Sequence, residues 1–490
     1  MTFRAPASAP GNLPSAGCEF WKGLRLLTAF VGFACACLQA QGTTPAAGGT
    51  SAKNSCDITD VDFDGASDVQ GMKENKASIT DLLERSDFDK LDCIADAARS
   101  SKARFPGGLW KLHNIYAALD EPEGHVTQED WNTRLLLLRR WTATKPNSIT
   151  AQVALAGSYV SYAWDARGSG TSDSVTDGGW KLFNERLEKA KAILDINSAL
   201  TAKCPESYLV MQRIVQGQGT TQETVLLKRA ISFEPSYYYY YRIHATLLLP
   251  KWYGEDGDAS KFAAEIADSV GGNEKDGDIL YFQIAGGLVC ACDDQPEFTR
   301  MSWERIQRGF AATEGKYGSS MTNLNLFALM ASEFQDSVAA DAAFKRIGDN
   351  WDQNTWITET YFNQIKSWAS QLGPHEAHSR AVRQEAATNE QSPEGARYKE
   401  QVEKNFAMFV RQCAQGPDAD LHKFEFMLMV GKDGTPENGY MPHPTALMGC
   451  LVTQLMTAQI KKETPFPPPP HPSYWLRLVM DPATDKPVSN

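Results

Sequence analysis

The chain has 490 residues, of which 42% are hydrophobic and 22% are charged, and its formal net charge at pH 7 is -12. This length predicts about two or three domains, each with enough apolar material for a core. The negative net charge argues against nucleic acid as a partner and against adsorption to anionic lipid, because both need clustered lysine and arginine.

The amino terminus has the pattern of an export signal, which we place at residues 1–37. Lys22 and Arg25 precede an apolar run, Leu26–Ala36, that small residues follow. This run is shorter than the ~20 apolar residues that span a bilayer. We therefore expect a periplasmic or secreted protein with no integral membrane span after signal cleavage. Cleavage before Cys37 would make it a lipoprotein, and an uncleaved anchor or a mis-chosen start codon is the alternative.

Residues 38–78 are predicted to form a flexible linker, because 38–55 are rich in Gly, Thr, Ala and Gln. Within it, Asp60–Gly65 followed by Asp68 is similar to a calcium-binding loop. However, Gly71 occupies the position at which such a loop needs a bidentate glutamate. We therefore favour an acidic linker over a calcium site.

Two other groups of residues have the spacing of weak metal sites. His375 and His378 lie on one face of a predicted helix, but a zinc site needs at least three protein ligands. Cys290 and Cys292 have no matching Cys/His pair elsewhere, and a buried structural role is the better interpretation. The sequence predicts neither a bound metal nor a cofactor.

Helical periodicity extends over residues 79–372, which we predict to form one α-helical domain. An early signal is Thr127 with Asp130, the pattern of a capping box that begins a helix. Further helices are expected from Gly108, Ala151, Asp177 and Pro205 onward. The later predicted helices are Thr221–Phe233, Ser236–Leu249, Asp258–Val270, Asp276–Cys290, Ser302–Thr313, Thr322–Phe334 and Ser337–Ile347.

Near the middle of this domain, five consecutive tyrosines (Tyr237–Tyr241) begin a helix after the proline turn at Pro235. A helix, a proline turn and a second, aromatic helix together form the unit of tetratricopeptide-like solenoids. The five rings cannot all face one way, so about three are expected in the core and the others at the surface. Exposed Tyr and Trp are typical of binding hot spots. The aromatic binding candidates are Tyr237, Tyr238, Tyr240, Tyr241, Trp252 and Tyr253.

The segment Trp164–Asp173 is the second candidate binding feature, through Asp165 and Arg167. Its Gly and Ser positions would let backbone N–H groups approach an anion beside Arg167. The alternative, which we favour, is a tight loop between helices in which Asp165 and Arg167 pair with each other. It lacks the Gly-Lys-Ser/Thr ending of a nucleotide-binding P-loop.

Three segments, Tyr162–Gly170, Leu248–Trp252 and Asn325–Trp356, resemble a bacterial domain family of unknown function. That family has tetratricopeptide-like helices and is often exported, and the resemblance covers about residues 88–370. It implies a mainly α fold, a helical solenoid, but no reaction.

After a polar connector, predicted at residues 373–404, the pattern changes to a small α+β domain. Phe424–Val430 and Ser473–Met480 are predicted strands, an Asp-Gly turn follows the first, and Thr445–Lys461 is a predicted helix. This order resembles the carboxy-terminal domain of TonB-like periplasmic proteins over about residues 405–481, and we place the domain at 405–484. The resemblance implies protein contact through a sheet edge.

The cysteines permit disulfides if the protein is exported. Cys413 and Cys450 are predicted to form a bridge inside the carboxy-terminal domain, and Cys56 with Cys93 is a second candidate pair. Beyond the signal the cysteine count is odd, which leaves at least one thiol unpaired within a monomer.

The sequence as a whole favours an exported, non-enzymatic binding or scaffold protein of the bacterial cell envelope. It would bind a peptide or protein partner on a helical-repeat surface, and not nucleic acid. One alternative is an envelope hydrolase that uses Asp165, Arg167 and either His113 or His244 in a solenoid cleft. In that case these side chains should converge in one pocket. The other alternative is a structural subunit of an envelope complex.

Overall fold

A computed structural model describes residues 68–124, 126–168, 170, 172–219, 223–270, 274–289, 295–415, 422–441, 447–482 and 486–487. The chain forms two compact units. The helical unit contains the described residues up to Gln335 together with Ala342–Ile365. The carboxy-terminal unit contains Asp336–Asp341 and the described residues from Lys366 onward.

The described chain is mainly helical, with a small antiparallel sheet near the carboxy terminus. This confirms the coarse fold class. Its helices, in chain order, are α1 (Asp68–Glu84), α2 (Phe88–Ser101), α3 (Lys111–Asp120), α4 (Gln128–Thr144), α5 (Ile149–Arg167), α6 (Asp177–Ile196), α7 (Ser198–Thr201), α8 (Pro205–Gln218), α9 (Glu223–Phe233), α10 (Tyr239–Leu247), α11 (Asp258–Val270), α12 (Glu274–Val289), α13 (Gln295–Thr299), α14 (Trp303–Tyr317), α15 (Met321–Glu333), α16 (Ser337–Ile347), α17 (Gln353–Trp356), α18 (Glu359–Glu390), α19 (Pro393–Cys413) and α20 (Leu447–Ile460).

Short polar side chains begin many of these helices. Thr127 accepts a hydrogen bond from the backbone N–H of Asp130, and Asp130 accepts one from the backbone N–H of Thr127, which is the predicted capping box. Ser148 and Thr176 each accept from the N–H three residues later at the starts of α5 and α6. Because these bonds satisfy N–H groups that a helix leaves free, they fix where each helix begins.

Helix α5 lies at the centre of the helical unit. Every residue from Thr150 to Ala163 is buried, and α3, α4, α6 and α8 pack around it. An all-round apolar helix needs neighbours on every side. At one edge of this core, Phe88 of α2 stacks on Trp141 of α4 with ring centroids 5.5 Å apart.

The predicted linker 38–78 ends earlier than expected, because its last residues, from Asp68 onward, belong to α1. Two buried polar contacts hold the first half of α1 in place. The backbone N–H of Met321 donates to Asp68 Oδ1 at 3.0 Å, and Asn75 Nδ2 donates to Asn114 Oδ1 at 2.5 Å. Hydrophobic periodicity does not detect polar pairs of this kind, and the sequence pattern therefore did not predict the part of α1 before residue 79.

The carboxy-terminal unit contains a sheet of strands β1 (Phe424–Val430), β2 (Pro436–Tyr440), β3 (Tyr474–Asp481) and the two-residue β4 (Lys486–Pro487), in the order β2-β1-β3-β4. All pairs are antiparallel, and the β1–β3 register joins Phe424 to Met480 and Val430 to Tyr474. The two predicted strands and the predicted helix are confirmed as β1, β3 and α20, while the short β2 and β4 were not predicted.

The predicted connector at 373–404 is helical and belongs to the carboxy-terminal unit, which starts again at Lys366. Helix α18 continues through Pro374, and α19 begins at Pro393 after an N-cap at Ser392. Proline and polar composition indicated a break, but Val382 and Ala386 are buried against Met427 and Trp475, and this packing stabilises the helix.

The disulfide Cys413–Cys450 is present, as predicted, and joins α19 to α20. Cys93 is also disulfide-bonded, and its predicted partner Cys56 lies outside the described residues, as do Cys290 and Cys292. The thiol of Cys204 is free and buried. Among the described residues, no helix combines the length and the apolar character that crossing a membrane requires.

Candidate functional site

A cleft of about 970 Å³ opens into the helical unit. It is formed by one face each of α3, α5, α8 and α10, with single residues from α1, α4 and α12. The spacing on α8 illustrates this, because residues 206, 209, 210, 213 and 216 recur every three or four positions and therefore share one side of the helix. The residues that line this cleft include Lys76, His113, Ala117, Asp120, Glu121, Trp131, Trp164, Asp165, Arg167, Glu206, Arg213, Tyr239, Arg242, Trp252 and Gly287.

A buried carboxylate, Glu206, lies in the first turn of α8, where the positive end of the helix dipole favours a negative charge. The Tyr237 hydroxyl donates a hydrogen bond to Glu206 Oε2. His113 Nδ1 lies 3.1 Å from the same oxygen and 3.3 Å from Oε1. The ring of His113 in turn packs on Tyr239, with centroids 3.8 Å apart. Glu206 is therefore held in one orientation by His113 of α3 and by Tyr237 of the segment before α10.

A second carboxyl group, that of Asp120 at the end of α3, is buried in the same cleft. Its Oδ1 has no hydrogen-bond partner and packs against Gly157 of α5. Burial raises the pKa of Asp120 well above its usual range, and the negative charge of Glu206 raises it further. The cleft thus contains a buried carboxyl group whose charged form is disfavoured, together with the oriented carboxyl group of Glu206.

Two half-buried arginines, Arg213 of α8 and Arg242 of α10, also line the cleft. Among the described residues, no acceptor lies within hydrogen-bonding or ion-pairing distance of either guanidinium group. Glycine at position 287 leaves room beside Arg242, because a Cβ there would lie 3.1 Å from Nε. These two cations are therefore available to a ligand.

Three tryptophans supply aromatic surface to the cleft, of which Trp164 and Trp252 are half-buried and Trp131 is buried. Trp131 stacks on Tyr162 with ring centroids 4.8 Å apart, and Trp164 meets Trp252 edge to face at 6.0 Å. These contacts fix the orientation of the rings. Large rigid aromatic side chains contribute contact area at little entropic cost, which is typical of recognition sites.

The loop after α5 differs from the favoured prediction, because the described residues show no ion pair between Asp165 and Arg167. Instead, Arg167 donates to the carbonyls of Gly168 and Gly170 at 3.1 and 3.0 Å. Its guanidinium also lies 5.6 Å from the Trp164 ring. Burial lowers the pKa of Arg167. The backbone carbonyls were better partners because they lie within the same short loop, while Asp165 is exposed.

The expected exposure of part of the tyrosine run is wrong. All five rings, including the candidates Tyr237, Tyr238, Tyr240 and Tyr241, are buried, at 0–7% exposure. Polar partners offset the burial of most of these hydroxyl groups, since that of Tyr238 donates to that of Tyr239 and that of Tyr241 donates to the Pro235 carbonyl, whereas the Tyr240 hydroxyl has no partner among the described residues. Tyr239, the one tyrosine of the run outside the candidate set, lines the cleft.

The other predicted site residues separate into two groups. Asp165, Arg167 and Trp252 all line the cleft, which brings together residues from α5 and from the segment after α10. Tyr253 is 57% exposed, and its hydroxyl donates to the Gln216 carbonyl at 2.6 Å. Its contact therefore holds the loop onto α8.

The two histidines of the hydrolase hypothesis lie in different places. His113 lines the cleft with Asp165 and Arg167, as that hypothesis requires. His244 is not among the lining residues, and its Nδ1 lies 2.5 Å from Glu223 Oε2. Elsewhere, His378 lies near the rings of Tyr440 and Trp475. The described residues contain no group of three or more side chains able to hold a metal ion, and Asp60–Gly65 lies outside them.

Sequence reasoning missed four of the charged residues that define the cleft, namely Asp120, Glu206, Arg213 and Arg242. Glu206 had a signal, because it follows the helix-starting Cys204-Pro205 pair and acidic residues are favoured there. The two arginines had none, since nothing in a single sequence distinguishes a cleft-facing arginine from an exposed one.

No family model, no curated protein and no solved structure matches this chain. The tetratricopeptide-like and TonB-like resemblances stay predictions.

Proposed function

We propose that this chain is an exported, non-enzymatic binding or scaffold protein of the bacterial cell envelope, and that its helical unit takes a peptide segment of a protein partner in the cleft. The observation that carries this proposal is the cleft itself, about 970 Å³ in volume and lined by tryptophans and by arginines without acceptors. Ligand sites are concave, mostly preformed and lined by aromatic side chains with a few polar groups.

The contact surface is the cleft, and not the tyrosine run. Buried rings of Tyr237, Tyr240 and Tyr241 support the helices beneath it. Trp164 and Trp252 present partly exposed rings of the kind found at binding hot spots, and the buried Trp131 also lines the cleft. A preformed surface of this kind binds with a small ordering cost.

The proposal also covers the finer fold class of each of the two units. We propose that the helical unit is a tetratricopeptide-like solenoid and that the carboxy-terminal unit is a TonB-like domain. Supporting features are the succession of short helices over α2–α16 and the order β1, turn, α20, β3 joined by the Cys413–Cys450 disulfide. Such folds present grooves or sheet edges to proteins. The amino-terminal signal pattern supports a periplasmic location.

A second candidate function, an envelope hydrolase, is favoured by one observation. Asp120 and Glu206 line one cleft, and the pKa of Asp120 is raised well above its usual range while Glu206 is oriented by Tyr237 and His113. Two carboxyl groups in one cleft, of which one has a raised pKa, can serve general acid and general base catalysis. Release of soluble product from purified envelope fractions, lost in Glu206→Gln, would support the hydrolase and contradict the binding protein.

The binding proposal is tested by affinity capture from envelope extract with a variant that fills the cleft. Ala117 of α3 is half-buried and lines the cleft, so Ala117→Trp places a large ring where the ligand would lie. Ala77 of α1 is exposed and is not a lining residue, which makes Ala77→Trp the matched control. Thermal unfolding of both variants checks that each is folded.

The expected result is a partner captured by the wild-type protein and by Ala77→Trp but lost with Ala117→Trp. Capture that is equal for all three proteins would contradict a role for the cleft. A partner that stays bound to every variant in fixed stoichiometry would instead favour a structural subunit of an envelope complex.

A further inference from the structure

Arg213 and Arg242 differ from the other half-buried and buried arginines of the helical unit. Arg134 donates to the Ala118 carbonyl at 2.7 Å, and Arg186 donates to the Tyr162 carbonyl at 2.6 Å. Among the described residues, Arg213 and Arg242 have no such acceptor. Partial burial of a guanidinium group without an acceptor is unfavourable, and it is typical of a site that an anionic ligand completes.

The carboxyl groups of the cleft do not supply this acceptor. Glu206 is already engaged by the Tyr237 hydroxyl and by His113. The Asp120 carboxyl group packs against Gly157 with its Oδ1 buried, and burial raises its pKa well above the usual range, which disfavours the charged form. The described residues therefore leave Arg213 and Arg242 without a hydrogen-bonded carboxylate, in a cleft lined by four lysine or arginine side chains and four acidic ones.

The size and surface of the cleft indicate more than a single small anion. Its volume of about 970 Å³ is at the upper end of the roughly 300–1,000 Å³ of ordinary ligand pockets. Trp131, Trp164 and Trp252 give it apolar wall area in addition to the two cations. A peptide that carries carboxylates and apolar side chains fits both properties.

We propose that the cleft selects an acidic peptide segment of the partner, with side-chain carboxylates bound by Arg213 and Arg242. Arginine suits this task because its planar fork pairs with a carboxylate through two parallel hydrogen bonds. The inference rests on the proposed binding function and names the class of ligand.

The test is direct binding of a short labelled peptide in three versions that differ only in having glutamate, glutamine or lysine at the same positions. The mature full-length chain is titrated by fluorescence anisotropy at low and at moderate salt. We expect the acidic version to bind about tenfold or more tightly than the glutamine version, because charge-assisted hydrogen bonds are the stronger ones. The lysine version should bind more weakly than either.

Variants assign this preference to the two arginines. Arg213→Gln and Arg242→Gln should each weaken binding of the acidic peptide by about tenfold and leave the glutamine peptide nearly unchanged. Arg229→Gln is the matched control, because Arg229 is an exposed arginine of α9 outside the cleft lining. Gly287→Ala, which introduces a Cβ beside Arg242, should weaken the acidic peptide without removing any charge.

The possible outcomes distinguish a failure of the acidic-peptide inference from a failure of the proposed binding function. Equal or tighter binding of the neutral or basic peptide, or no binding of any version while cleft-dependent capture persists, overturns the acidic-peptide class and leaves the binding function intact. Binding of phosphate or citrate alone with the same arginine dependence also overturns it, in favour of a small-anion site. Loss of cleft-dependent capture contradicts the proposed function itself.

Discussion

The hydroxyl of Tyr237, which begins the segment before α10, donates a hydrogen bond to the carboxylate of Glu206 in the first turn of α8, and both side chains are buried. Burial raises the pKa of Tyr237 well above its usual range, and Glu206 raises it further, so the phenol stays protonated and acts as a donor. This contact orients the acidic residue of the cleft.

Tyr237→Phe should lower the free energy of unfolding by ~1–3 kcal/mol, because it removes a donor from a buried carboxylate. Tyr241→Phe is the control, since the Tyr241 hydroxyl donates to the neutral Pro235 carbonyl at 2.8 Å and its loss should cost about 0.5–1.5 kcal/mol. Urea unfolding followed by tryptophan fluorescence measures both. Equal losses for the two variants would contradict a special role for the Glu206 contact.

Asp120→Asn should alter how stability depends on pH. The pKa of Asp120 is raised in the folded chain, so above about pH 4 the unfolded chain releases a proton that the folded chain keeps. The stabilisation from Asp120 is full below that pH and falls as pH rises, by up to about 1.4 kcal/mol per unit. Asparagine does not titrate, so the variant should gain stability relative to wild type as the pH rises above about 4.

Urea unfolding at several pH values measures that difference. Asp165→Asn, at an exposed residue of the same cleft, is the control and should show no comparable gain. Parallel pH profiles for wild type and Asp120→Asn would show that folding does not shift the pKa of Asp120, and would contradict the effect of burial on this carboxyl group.

Gly157→Ala should destabilise the helical unit although alanine is the better helix former. A Cβ at position 157 would overlap the Asp120 carboxyl group, so α5 and α3 would have to separate, at a cost of about 1–3 kcal/mol. Gly315→Ala in α14 is the control, because nothing lies within 4 Å of its Cβ position. That variant should gain about 0.5–1 kcal/mol from helix propensity. Thermal unfolding measures both variants. A higher melting temperature for Gly157→Ala as well as for Gly315→Ala would contradict the close packing of Asp120 on α5.

Removal of the Cys413–Cys450 bridge should weaken the carboxy-terminal unit. The two cysteines are 37 positions apart, and a crosslink over a loop of this length stabilises by ~4 kcal/mol in the chain-entropy description. In the double variant Cys413→Ser with Cys450→Ser, the amide hydrogens of β1 and β3 should therefore exchange with solvent faster than in wild type. Reductant should accelerate that exchange in wild type and have no further effect on the variant. Unchanged exchange in the variant would show that packing alone holds the sheet.

Local signals in the sequence predicted much of the fold. The Thr127–Asp130 capping box, the limits of α11 and α16 and the strand β1 follow from capping residues and from hydrophobic period, which act over a few neighbouring residues. Helix α1 was missed over its first turns, because Asp68 and Asn75 are held by partners distant in sequence.

The cleft was predictable only in part. Asp165, Arg167 and Trp252 belong to segments whose unusual composition drew attention, and they line it. The pairing of His113 with Glu206 joins residues 93 positions apart, and no local pattern encodes it. The tyrosine run was misread because five consecutive rings on one helix were expected to point in different directions, whereas the helix begins only at Tyr239 and all five rings are buried.

The most direct measurement is photo-cross-linking from inside the cleft in intact cell envelopes. A photoreactive phenylalanine analogue is placed at Ala117, which lines the cleft, and in a second protein at Ala77, which is exposed outside it. We predict that a protein partner is cross-linked from position 117 through an acidic segment, and that position 77 yields no such product. Cross-linking from position 77 alone, or from neither position while the partner is still captured, would contradict recognition in the cleft.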